Sequence, residues 1–156
     1  MSEKKLLAVD TSGPVCGVAV ISGDRVLAEY TLRNRNTHSV NLMPMVDEVL
    51  SRAGVTLAEL DAIACVVGPG SFTGVRIGTA AVKGLAHGCG KPCIPVNAME
   101  TLAAGAGDWE GTVCPILDAR AGQVYCAAFE GNRRVLPDEP LPLEECLRRV
   151  TAVSSD

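Results

Sequence analysis

The chain has 156 residues, of which 47% are hydrophobic and 21% charged, a balance typical of a globular protein with a packed core. Its net charge of −4 and its aromatic content of only 3% disfavour unaided nucleic-acid binding, which needs a basic surface or aromatic stacking platforms. No apolar run approaches the roughly 20 residues of a membrane helix and no secretion signal opens the chain, so we expect a cytoplasmic protein with no membrane partner.

Three short β-strands are predicted at the start of the chain. Residues 5–10 and 15–21 are apolar runs rich in Val and Leu, and a Thr-Ser-Gly-Pro turn separates them. Apolar and polar side chains alternate over residues 25–33, which indicates a third, half-exposed strand. The three segments together predict an antiparallel meander.

Helices and parallel strands are expected next. Apolar residues recur at helical spacing over residues 38–53, and Gly54 supplies a stop. Pro44 lies inside this helix and predicts a kink or a later start, because proline lacks a backbone donor. The remaining predicted elements are a strand at 61–67, a helix at 73–88, a strand at 92–96 and a helix at 98–106.

The strand pattern restarts after a polar segment at 107–112. Predicted strands at 113–118, 123–130 and 133–136 repeat the order of the first three after about 108 residues, and one charged helix follows at 142–150. We therefore expect two related domains, a complete one at 1–107 and the start of a second one, apparently truncated, at 108–156.

Cysteine and histidine spacing argues against a metal site. The seven cysteines are scattered through apolar segments, where we expect them to act as small core side chains. The nearest pair, Cys89 and Cys93, has three intervening residues rather than two, and only His38 and His87 could complete a zinc site. We predict no bound metal.

The most distinctive motif is GPGSFTGVRIG at residues 68–78, at the start of a predicted helix. Its backbone amides are candidates for holding a phosphate. It nevertheless lacks the Gly-Lys-Ser/Thr ending of a P-loop, and its third glycine falls one residue late for a dinucleotide fingerprint. A structural turn that brings a strand close to the following helix explains the same glycines, so both interpretations stay open.

Five segments resemble the TsaB (YeaZ) family, whose members are paralogues of TsaD and act in bacterial tRNA threonylcarbamoyladenosine biosynthesis. The resemblance implies an α/β protein with the actin-like ATPase fold, in which each lobe has a ribonuclease H-like βββαβαβ core, here with the first lobe complete and the second partial. The segments are KLLAVDTSGPVCGVAV at 5–20, THSVNLMPMVDEVL at 37–50, VVGPGSFTGVRIGTAAVKGLA at 66–86, PVNAMETLAAG at 95–105 and LDARAGQVYCAAF at 117–129.

The resemblance also implies a role without catalysis. The expected function is that of a partner subunit of TsaD in the N6-threonylcarbamoyl modification of ANN-decoding tRNAs, with TsaE in the larger complex, a homodimer when alone and only indirect contact with tRNA. TsaD carries a His-x-x-x-His metal site, and the matching positions here are Ala98 and Leu102, which cannot bind a metal. We therefore expect no catalytic residue, metal or cofactor.

The first two helices are the candidate partner surface, because TsaB and TsaD are similar in joining through these helices as a four-helix bundle. Small residues at helical spacing in the second helix would let another backbone approach. Packing of the same residues into the chain's own core is the alternative. The candidate interface residues are Leu42, Met45, Val46, Val49, Gly74, Gly78 and Ala81.

A vestigial nucleotide site is the second candidate. Active members of the wider fold hold ATP with acidic strand ends and glycine-rich turns. Asp10 ends the first predicted strand, and Asp118 ends the matching strand of the second predicted domain. An ATP-binding or ATP-hydrolysing enzyme is therefore the alternative function, and a homodimeric structural module is the second alternative. The candidate residues of this site are Asp10, Thr11, Ser12, Gly68, Gly70 and Ser71.

Overall fold

Residues 3–33 and 37–154 are described by the computed structural model, and the chain divides into two units, Met1–Val96 and Asn97–Asp156. The expected boundary after residue 107 differs from this division. The helix that follows Val96 groups with the second unit, because the Asn97 side chain donates a hydrogen bond to Asp138 Oδ2 at 2.5 Å.

A five-stranded sheet forms the centre of the first unit. Its strands are β1 (Lys5–Asp10), β2 (Cys16–Ser22), β3 (Arg25–Leu32), β4 (Ala62–Val66) and β5 (Cys93–Val96). The first three strands are an antiparallel meander, and the last two are parallel to β1 and to each other, as predicted. The sheet order is β3-β2-β1-β4-β5.

Two helices, α1 (His38–Ala53) and α2 (Phe72–Cys89), pack against this sheet and against each other. As predicted, α1 ends at Gly54, which adopts the left-handed conformation (φ +63°). The later start that Pro44 suggested is wrong, because α1 begins at His38 and continues through the proline. Alternate residues of β1 and β2 point into the core, and every residue of β4 is buried. No helix in the described ranges is both long enough and apolar enough to cross a membrane.

An antiparallel sheet forms most of the second unit. Its elements are α3 (Ala98–Ala104), β6 (Thr112–Val113), β7 (Ile116–Arg120), β8 (Gln123–Glu130), β9 (Arg133–Pro142) and α4 (Leu143–Val153), with β8 in the middle of the sheet. The predicted strand at 113–118 is two strands, because Cys114 and Pro115 interrupt it, and β9 continues well beyond residue 136. Among the described strands, β9 pairs with β8 alone, and an edge strand tolerates its prolines.

Candidate functional site

The glycine-rich loop packs on the turn that follows β1. The Ser71 amide donates a hydrogen bond to Ser12 O at 2.6 Å, and the Thr11 hydroxyl donates one to Gly74 O at 2.7 Å. Thr11 is completely buried in this contact. The structure therefore brings together the two segments, 10–12 and 68–71, that the sequence predicts as a nucleotide site.

Close backbone contact explains the glycines of the motif. A Cβ atom on Gly70 would lie 2.5 Å from Ser12 O, and one on Gly74 or Gly78 would overlap Thr11. Gly68 has φ +112°, in the region of backbone conformation that favours glycine. Gly70, Gly74 and Gly78 therefore need glycine for packing and Gly68 needs it for its backbone conformation, whether or not the loop binds a ligand.

The amides that face this contact already have acceptors. Ser12 N donates to Asp10 Oδ1 at 2.8 Å, Gly74 N donates to the Ser71 hydroxyl at 3.2 Å, and Ser71 N donates to Ser12 O. A phosphate at this site would have to displace these bonds. Two amides of the loop, those of Ser71 and Gly74, are therefore already used within the chain.

Two buried thiols interact with the carboxylate of Asp10. Burial raises the pKa of the Cys16 and Cys65 thiols, and the negative charge of Asp10 raises both further. Arg76, the nearest cation along the chain, stacks on the exposed Phe72 ring with its guanidinium carbon 5.2 Å from the ring centre. The close packing of the loop on the turn after β1 forms a structural joint, which accounts for the glycines at 70, 74 and 78.

The predicted partner residues of α1 lie in the chain's own core, which corrects the interface prediction at these positions. Leu42, Met45, Val46 and Val49 are each 1–2% exposed and pack with the strands. A side chain that is already buried has no apolar surface left to offer a partner. Their burial favours the core alternative for these four residues.

The small residues of α2 also serve the chain itself. Gly74 and Gly78 are buried against Thr11, and Ala81 is half buried against the core cluster. At Gly74 and Gly78, the backbone that approaches this stripe is the turn after β1.

Other residues of the two helices are exposed, and apart from Met43 the sequence analysis did not select them. Val40, Met43 and Phe72 are 62%, 39% and 76% exposed. A Cβ atom on Gly84 would meet nothing within 4 Å, so α2 is open there. We use the name outer helix face for the exposed residues Val40 and Met43 of α1 together with Phe72, Arg76, Ala80 and Gly84 of α2. The chain has few aromatic residues, so the phenylalanine at the start of α2 was the signal that the sequence offered for this surface.

The positions that match the TsaD histidines lie on α3 in the second unit. Ala98 is buried and Leu102 is exposed, and neither side chain has a ligand atom. The Asn97 side chain caps this helix by accepting hydrogen bonds from Met99 N and Glu100 N. Within residues 3–33 and 37–154, no group of three or more His, Cys, Asp or Glu side chains is arranged to hold a metal ion.

Comparison with known proteins identifies the family. A family model described as TsaD, tRNA N6-adenosine threonylcarbamoyltransferase, matches residues 25–152. The structure of YeaZ from Pseudomonas aeruginosa superposes with a TM-score of 0.79 at 35% identity, over 89% of this chain and 68% of that one. The chain belongs to the TsaB (YeaZ) family. It is 38% identical over 146 residues to the tRNA threonylcarbamoyladenosine biosynthesis protein TsaB of Bacillus subtilis (strain 168), and 40% identical over 128 residues to that of Escherichia coli (strain K12).

This TsaB-family chain spans only part of its curated relatives. The matches cover 91% and 81% of the chain but 64% of the Bacillus subtilis protein and 55% of the Escherichia coli protein. More distant structures share the fold alone. They include a ROK hexokinase from Thermus thermophilus (TM-score 0.51, 17% identity) and component A of an Acidaminococcus fermentans dehydratase (0.58, 13%). These likenesses agree with the expected actin-like ATPase fold.

Proposed function

We propose that this chain takes part in tRNA threonylcarbamoyladenosine biosynthesis as a non-catalytic subunit that binds TsaD. The observation that carries the proposal is the 38% identity to a TsaB protein over 91% of the chain. The proposal has three separate parts, and each has its own test. They are involvement in this modification, binding to TsaD and the absence of catalysis.

The outer helix face supports binding to another helical surface. Val40, Met43 and Phe72 present apolar side chains that the chain itself leaves uncovered. Ala80 and Gly84 extend this face along α2 with small side chains, which let a second helix approach closely. Burying one Val, Met or Phe side chain gains about 1.5–3 kcal/mol, so a few such residues can support a stable contact.

The packed loop supports a role without catalysis. The amides of Ser12, Ser71 and Gly74 are occupied by bonds within the chain, and Ala98 and Leu102 replace the histidine pair that the TsaD resemblance implies. An ATP-hydrolysing enzyme acting through Asp10 would need this loop to open and bind phosphate.

The test is restoration of tRNA modification in bacteria depleted of their own TsaB. We expect the wild-type chain to co-purify with TsaD and to restore N6-threonylcarbamoyladenosine, measured by mass spectrometry of tRNA nucleosides. Phe72→Asp should lose both. Val26→Asp is the matched control, because Val26 is also an exposed apolar residue (58%) but lies on β3. Full restoration by Phe72→Asp would contradict the proposed surface, and a folded wild-type chain that neither binds TsaD nor restores the nucleoside would contradict the function.

Two further measurements separate the alternatives. Phosphate release from ATP by the chain alone, abolished in Asp10→Ala, would establish the enzyme. A dimer in light scattering that persists with TsaD present, without any mixed complex, would establish the homodimeric module. We expect no ATP hydrolysis and a mixed complex.

A further inference from the structure

One exposed stripe runs along α2 and carries positive charge. Its residues recur three or four positions apart, so they lie on the same side of the helix, and all of them are exposed. The α2 sequence contains no Asp or Glu. We call this set the α2 stripe, and its members are Phe72, Arg76, Ala80, Lys83, Gly84 and His87.

The two cations of the α2 stripe have no carboxylate partner in the described chain. Elsewhere, Lys and Arg side chains pair with carboxylates, such as Lys4 with Asp61 at 2.7 Å. Within residues 3–33 and 37–154, neither Arg76 nor Lys83 forms such an ion pair. Arg76 stacks instead on the exposed Phe72 ring. Both positive charges are therefore available to carboxylates of another chain.

The spacing of the α2 stripe fits a second helix. Ala80 lies between the two cations and Gly84 lies beside Lys83, and a Cβ atom on Gly84 would meet nothing within 4 Å, so another helix can approach closely. Arg76 and Lys83 are seven residues apart, which is about 10.5 Å along the helix axis. A helix packed alongside has the same rise per residue. Two of its carboxylates would therefore face both cations if they are also seven residues apart.

We propose that the α2 stripe binds an acidic helix of TsaD, which places one carboxylate against Arg76 and a second against Lys83. This inference rests on the proposed binding of TsaD and adds the charge of the contacting helix. Phe72 supplies apolar contact area, while the opposite charges speed association and fix the register of the two helices. RNA fits the stripe less well, because the chain has a net charge of −4 and the stripe has only Arg76 and Lys83 as permanent cations.

The salt dependence of binding tests the charge of the partner. The experiment is isothermal titration of the full chain with TsaD at two salt concentrations. Raising NaCl from about 0.1 M to about 1 M shortens the Debye length from about 10 Å to about 3 Å. We expect the Kd of the wild-type chain to rise at least about fivefold over this range. Lys83→Gln should bind about threefold more weakly at the lower salt and respond less to added salt, because one of the charges is gone.

Charge reversal gives the sharpest comparison. At about 0.1 M NaCl, Lys83→Glu should weaken binding at least about tenfold, because like charges then face each other, while Lys83→Arg should bind as wild type does. Arg120→Glu is the matched control, because it makes the same change in net charge at an exposed arginine of the second unit. A melt of each variant shows that it is folded, and Arg76→Glu repeats the reversal at the other cation.

The outcomes separate this inference from the proposed function. If TsaD does not bind the wild-type chain, both fail. If Phe72→Asp loses binding but salt and Lys83→Glu leave the Kd unchanged, the acidic helix alone is wrong. Equal weakening by Lys83→Glu and Arg120→Glu would show that net charge acts rather than the α2 stripe. If the chain binds tRNA, and Lys83→Glu loses only that binding, the stripe contacts RNA and the inference is overturned.

Discussion

The meanders β1–β2–β3 and β7–β8–β9 begin alike and are stabilised differently. In each, an aspartate of the first strand accepts a hydrogen bond at 2.8 Å from the amide two residues later, Asp10 from Ser12 and Asp118 from Arg120. The first meander continues into β4 and β5 and is covered by two long helices. The second meander gains one more strand, β6, which pairs with β8, and it packs against α4.

The cores of the two units differ in size and in chemistry. The core of the first unit is a continuous apolar cluster in which α1 and the strands interlock. An apolar cluster of the second unit brings together Cys126, Leu141 and Cys146, and ion pairs lie along α4, such as those of Glu145 with Arg148 and Arg149. Exposed ion pairs contribute little individually. We therefore examine packing changes in the first unit, and backbone and pH changes in the second.

The largest expected effect comes from a charge placed in the first core. Met45 is 2% exposed, so Met45→Asp buries a carboxylate without a partner and should cost more than about 4 kcal/mol. Met43→Asp, two residues away but 39% exposed, should change the free energy of unfolding by less than about 1 kcal/mol. Urea denaturation followed by circular dichroism measures both. Equal destabilisation by the two changes would show that the faces of α1 are wrongly assigned.

The glycine joint is expected to come next. Gly74→Ala places a methyl group against Thr11 O, and the repacking should cost about 3 kcal/mol. Gly84→Ala adds the same group where nothing lies within 4 Å, and in a helix it should stabilise by about 0.5–1 kcal/mol. The same urea titration compares them. A neutral Gly74→Ala would mean that the loop does not pack on the turn as described.

Backbone strain in the second meander gives a smaller effect. Ala121 adopts φ +50° in the turn between β7 and β8, which favours glycine. Ala121→Gly should stabilise the second unit by about 0.5–1 kcal/mol. Ala119→Gly, within β7, should destabilise it instead. Fluorescence of the single tryptophan, Trp109, reports this unit during unfolding, and identical shifts for both variants would contradict the strained turn.

The smallest effect is the acid response of α4. Side-chain hydrogen bonds from Arg148 and Arg149 lower the pKa of Glu145 to about 2 from its usual 4.5. Because the folded-state pKa is the lower one, the stabilisation is present above about pH 4.5 and is lost as the pH falls towards 2. Glu145→Gln should flatten the decline in Tm between pH 5 and 2.5. An unchanged decline in Glu145→Gln would show that these ion pairs contribute nothing.

The sequence predicted elements well where the signal is local. The strand at 5–10 and the helix at 38–53 match β1 and α1, because alternation, helical period and the Gly54 stop act within a few residues. The end of β9 was missed, since its prolines argue against a strand unless it lies at an edge, which depends on the whole sheet.

The candidate site was predicted only in part. The proximity of Asp10 and the glycine-rich loop followed from their placement at strand ends, but the occupied amides depend on atomic contacts between distant segments. The apolar face of α1 was broad enough to suggest a partner surface. Only the packed strands show that Met45 points inward while Met43 points outward.

Binding of TsaD to the outer helix face is the central claim, and isothermal titration of the purified chain with TsaD tests it most directly. Wild type, Val26→Asp and the loop variant Asp10→Ala should bind with similar affinity, because none of these changes touches the outer helix face. Met43→Asp should keep the wild-type melting temperature and weaken binding at least about tenfold, since it places a charge at an apolar contact. Binding that Met43→Asp and Phe72→Asp leave unchanged but Val26→Asp abolishes would place the partner on β3 and contradict the account.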